Sequence, residues 1–122
     1  MLDVLAQLYG EVHPHIATTL RNRAILQKQS GNMAESEALF REALAMHIEL
    51  QGEDHLEVAR SRSLLAEALI QTGQFPEAES LLLAARARFE ADGETAWTQR
   101  AYEALRTLYR AWGKTPTAIL RD

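Results

Sequence analysis

The chain repeats itself at an interval of 42 residues, and this spacing constrains its fold more than any other feature. Gly10-Glu11-Val12-His13 returns as Gly52-Glu53-Asp54-His55, and Gly31 returns as Gly73. With residues 10–51 laid on 52–93, 12 of 42 positions are identical, among them Ala17, Ala24, Gln29, Glu35, Leu39, Ala43 and Ala45. A third copy opens at Gly93-Glu94 and reaches its internal glycine at Gly113. A unit this short cannot bury its apolar face alone, so it stacks on its neighbours.

Each copy reads as two helices. Ala and Leu supply 38 of 122 residues, whereas Val and Ile supply 8, a ratio that favours helix over strand. In the first copy Pro14 suits a first helical turn. Ile16, Ala17, Leu20, Ala24 and Ile25 follow at spacings of three and four. Gly31 then suits a left-handed helix end. Ala38, Leu39, Ala43, Leu44, Met46 and Ile48 mark the second helix. The second copy runs through Val58, Leu65, Ala66 and Leu69, breaks at Thr72-Gly73, and resumes from Pro76 with Ala78, Leu81, Leu82, Ala85 and Phe89. The third carries Trp97, Tyr102, Leu105, Leu108 and Tyr109 before Trp112-Gly113. A break of about two residues makes the helices of a pair antiparallel.

These residues resemble the tetratricopeptide repeat, in the 42-residue form of kinesin light chains. The resemblance is carried by Gly10-Glu11-Val12-His13-Pro14-His15-Ile16-Ala17 and by Gly73-Gln74-Phe75-Pro76-Glu77-Ala78-Glu79-Ser80-Leu81. It implies an all-α, right-handed superhelical α-solenoid of antiparallel helix pairs. Residues 1–9 would end a preceding repeat, 10–51 and 52–92 would be whole repeats, and 93–122 would be a truncated third with a capping role. The chain would begin within a repeat of a longer parent. Leu108 to Lys114 resemble the final repeat of bacterial Ser/Thr protein kinases that carry such repeats. Ala24 and Ala66 match the close crossing of a pair. Ser36 departs from the alanine that Ala78 supplies in the second helix, Leu56 from a proline, and Arg106 from the small residue that Ala24 and Ala66 supply.

The resemblance also implies a concave face built from the first helices, able to grip an extended or helical peptide. The positions that match are Arg21, Asn22 and Lys28 in the first repeat; Arg60, Ser63, Glu67 and Gln71 in the second; and Arg100, Glu103 and Arg110 in the third. Thr18, Ile25, Gln29, Leu64, Ile70, Ala104, Thr107 and Ala111 complete the set. Together these positions hold five basic residues and two acidic ones, on a chain of net charge −4. A field of that sign steers acidic ligands, so an acidic protein or peptide partner is expected. The basic and amide set of a chaperone-tail clamp is incomplete, because Leu64 stands where an Asn is required. The competing readings are a peptide-signal sensor arm of a regulator, a structural spacer that self-associates through exposed solenoid ends, and a solvated face without a dedicated ligand.

Catalysis is not expected. With no Cys, thiol chemistry and disulfides are excluded. Gly113-Lys114-Thr115 imitates the end of a phosphate-binding loop, but Leu108 replaces its first glycine. His13, His15, His47 and His55 form no metal-ligand pattern, and the recurrence of His13 as His55 suggests an inter-repeat or capping contact. Glu35/Glu37 and Glu77/Glu79 lie where acidic charge complements a helix N-terminus. The aromatic residues fall at core positions, with Trp97 and Trp112 as candidates for an outer contact. No cofactor, metal, nucleic acid or membrane is expected as a partner. The net charge is acidic, no apolar run approaches the roughly 18 residues that span a bilayer, and Met1-Leu2-Asp3-Val4 lacks a basic leader. A cytoplasmic location is the expectation.

Overall fold

A left-handed glycine stands within two residues of the end of every helix in the computed structural model, which describes residues 14–113. The helices are α1 (Pro14–Gln29), α2 (Met33–Gln51), α3 (Leu56–Gln71), α4 (Phe75–Ala91) and α5 (Thr95–Trp112). The described residues contain no strand. The proposed elements at 1–9 and 114–122, together with His13, Lys114 and Thr115, lie outside the described residues.

Three of the helix ends share one hydrogen-bond signature. The Asn32 amide donates to the Gln27 carbonyl at 2.8 Å while the Gly31 amide donates to Lys28 at 3.1 Å. Gln74 and Gly73 repeat the pair on Leu69 and Ile70, and Glu94 and Gly93 repeat it on Phe89 and Glu90. Such double closures require a left-handed residue, and Gly31 has φ 85°. At the turn between repeats, the His55 ring caps α3 by accepting from the Glu57 amide at 3.0 Å. The histidine that recurs with the repeat is thus a capping residue in its second copy.

Close crossings fall at the matched small residues. Ala24, Ala66 and Ala78 are wholly buried. Ser36, the departure from alanine, fits equally well: its hydroxyl donates to the Ala24 carbonyl at 2.7 Å across the crossing. Each helix packs on its successor, and α3 also touches α5. One continuous core runs from Ile16 and Leu20 in α1 to Leu105, Leu108 and Tyr109 in α5.

The buried stripe of α2 differs from the expected one. It consists of Ser36, Leu39, Phe40, Ala43 and His47, whereas Ala38 faces solvent and Leu44, Met46 and Ile48 are half-buried. His47 holds the register position that Phe89 fills one repeat later, and it is only 3% exposed. Arg106 points to solvent, so its length opposes no described crossing.

Candidate functional site

The first helices of the three copies are tied together by ion pairs on one face. Arg21 of α1 meets Glu57 of α3 at 3.3 Å, and Lys28 of α1 meets Glu67 of α3 at 3.5 Å. Arg100 of α5 donates to both oxygens of Glu67, at 2.7 and 2.9 Å. Arg60 of α3 donates to Glu57 at 2.6 Å and to Glu94, at the start of α5, at 2.7 Å. Burial raises the pKa of Glu57, but the Arg60 hydrogen bond and the Arg21 charge outweigh it, and the carboxyl sits below its ordinary range. The bonds to Glu57 and Glu67 hold the Arg60 and Arg100 guanidiniums more firmly protonated still.

Two cavities open beside this lattice. The larger, about 700 Å³, has an apolar part made by Ile25, Phe40, Leu64 and Trp97. Its polar part is Arg21, Asn22, Lys28, Gln29, Gln71 and Arg100, with no carboxylate among the lining residues. Its volume falls in the range of ligand pockets. Arg21 also keeps a buried Nη1 without a protein acceptor. The smaller cavity, about 320 Å³, is lined by Lys28, Glu67, Ile70, Gln71, Arg100, Glu103, Ala104 and Thr107. Lys28, Gln71 and Arg100 belong to both.

Seven of the ten residues expected on the concave face therefore line one cavity or the other: Arg21, Asn22, Lys28, Glu67, Gln71, Arg100 and Glu103. Three do not. Ser63 has no exposed surface. It shares the register of Arg21, but a hydroxymethyl ends inside the packing where an arginine stem can carry its head outward. Arg60 lines neither cavity; it is spent on Glu57, Glu94 and the face of Trp97, 5.8 Å from the ring centre. Arg110 is exposed in the last turn of α5, beyond both cavities.

Charge on this face is also more balanced than the sequence implied. Glu57 and Glu94 join Glu67 and Glu103, so five cations stand among four carboxylates. Glu57 was legible as a helical i,i+3 partner of Arg60. Glu94 was not, because it lies in the next repeat. Phe40 was missed as a lining residue because it counts as core in a one-dimensional pattern, and Trp97 was expected only as an outer contact rather than in the cavity wall. Trp97 packs on Phe89 at 5.4 Å with Arg100 5.4 Å above its ring, and Trp112 packs on Phe75 at 5.8 Å. Neither is a bare outer contact. Among the described residues no helix is long and apolar enough to cross a membrane, and no three His, Asp or Glu cluster in a way that could hold a metal.

The family profile described as tetratricopeptide repeat matches residues 15–91. No curated protein matches the chain. Repeats of this type generally mediate protein–protein contacts rather than catalysis. The matched span takes in two helix pairs, their glycine turns and their small-residue crossings, and the chain belongs to the tetratricopeptide repeat family.

Proposed function

We propose that this domain is a non-catalytic interaction module whose concave face holds an extended, acidic peptide segment. Its setting is a larger cytoplasmic regulatory or scaffolding protein of bacterial type, such as one that carries a kinase domain. Residues 10–51 and 52–92 serve as whole repeats, and 93–122 serve as a truncated, capping third. The carrying observation is the larger cavity, where Arg21, Lys28 and Arg100 surround apolar side chains with no carboxylate lining it. An anionic group there draws on Arg21, Lys28 and Arg100 in exchange with Glu57 and Glu67, while its neighbouring apolar group covers the half-buried Ile25 and Trp97.

The test uses a capped, fluorescein-labelled hexapeptide of alternating leucine and glutamate, with its leucine–glutamine counterpart as control. Fluorescence anisotropy is expected to show binding of the acidic peptide, weakened by salt. The Arg21→Glu plus Arg100→Glu variant should bind it at least about tenfold more weakly, a loss of about 1.4 kcal/mol. Equal affinity for both peptides, or for both proteins, would remove the case for an acidic ligand. The full chain should also be weighed in solution. Among the described residues Leu26 is the large apolar side chain left open, at 61% exposure, which offers little area for self-association.

A further inference from the structure

The groove already holds a carboxylate where the proposed ligand would place one. Glu67 projects from the middle of α3 and is received by Arg100 from α5 and Lys28 from α1. Two cations share one anion, so the triad retains a positive charge. Lys28 and Arg100 line both cavities, while Glu67 lines only the smaller. The triad therefore stands as a crossbar between a basic chamber and a mixed one that includes Glu103. Nothing in the repeat demands a carboxylate at this position: the register places Ile25 there in the first copy and Thr107 in the third.

Building on the peptide reading above, we infer that Glu67 is a built-in competitor for the groove's carboxylate site. An acidic segment binds by exchanging with Glu67 on Arg100 and Lys28, so Glu67 sets how much ligand charge the groove requires. The Arg100 side chain is half exposed, so its bond to Glu67 is screened by water and can be exchanged. Because Glu67 is tethered beside both cations, a lone carboxylate displaces it poorly. A segment with several carboxylates can satisfy Arg100 and Lys28 together, and then extend to Arg21 in the basic chamber. The competitor thus selects for clustered acidic charge over a single acidic residue.

The test is Glu67→Gln in the full chain, with the same leucine–glutamate hexapeptide as probe. The amide keeps the side-chain shape and removes the competing charge. Binding is expected to tighten about three- to tenfold, as suits an ion pair of this exposure. Salt dependence should steepen, because more cationic charge is free. The leucine–glutamine peptide should show no gain. Adding Arg100→Gln should abolish the gain, and Glu67→Ala should reproduce it if the glutamine variant melts early. If the wild type binds the acidic peptide and neither Glu67 variant binds it more tightly, the competitor role is overturned and the peptide reading stands. Equal gain for both peptides also overturns it, since space rather than charge would then be the cause. Absence of binding to wild type and variants alike overturns both readings.

Discussion

His47 is a titratable side chain where its repeat partner is a phenylalanine. Its Nδ1 lies 3.3 Å from Gln51, and its Nε2 is buried without a protein partner. Burial lowers its pKa from the ordinary 6.5, and the nearby Arg21 charge lowers it further, against the opposing effect of Glu57. The unfolded chain therefore takes up this proton first. The stability linked to His47 is complete above pH 6.5 and is lost as pH falls below it. The slope approaches at most about 1.4 kcal/mol per pH unit. His47→Phe should flatten the dependence between pH 7 and 5, read from denaturant midpoints at each pH; an unchanged slope would refute the assignment. Glu57 and Glu77, whose pKa values lie below 4.5, add a separate loss further into acid. Ser61 and Ser63 pose the opposite problem. Both hydroxyls are fully buried with no partner, an arrangement that costs about 1–3 kcal/mol each. Ser61→Ala or Ser63→Ala should raise the melting temperature, since alanine keeps the packing and removes the unsatisfied group.

Between elements, the glycines do more than end helices. Gly52 has φ 86° and ψ 158°, a region that residues with a Cβ essentially avoid. A Cβ there would meet nothing within 4 Å, so any penalty comes from the backbone itself. Gly52→Ala should cost about 1–3 kcal/mol in a urea titration, and a neutral result would mean the inter-repeat turn can be rebuilt. These junctions, and the alanines at the crossings, were legible because the 42-residue spacing prints them twice. Glu94 was not, because its contact with Arg60 spans 34 residues and depends on how repeats rotate against one another. Ser63 shows the same limit from the other side. It shares the register of Arg21, but the length of the side chain at that register decides whether it reaches the cavity. Between the second helices, away from both cavities, Arg41 clasps Glu77 of α4 at 2.7 and 2.8 Å and Glu37 of its own helix. This clasp is open to solvent, so Arg41→Ala should cost no more than about 1 kcal/mol.

At the scale of the whole molecule, the five described helices form a stack in which contacts are mostly between successive helices. Stability in such a stack is a sum of local terms, and it is greatest where an element has neighbours on both sides. Helix α3 packs against α2, α4 and α5 and buries nine of its 16 residues. Its amides should exchange with deuterium more slowly than those of α1 or α5, as mass spectrometry of peptic fragments would record; uniform rates would show that the stack opens as one unit. The overall fold was readable from periodicity because one repeat dictates the next. The groove was only partly readable, because four helices contribute to its larger cavity and no single stretch of chain contains its pattern.

Trp97 gives this groove an optical property of its own. The indole lies under the guanidiniums of Arg60 and Arg100 and borders the larger cavity, while the other tryptophan, Trp112, rests on Phe75. Indole emission responds to the charges fixed above the ring. In a Trp112→Phe background, any event that draws Arg100 away from Trp97 should therefore change the colour and intensity of the remaining fluorescence. The protein would then report on its proposed binding face without a label.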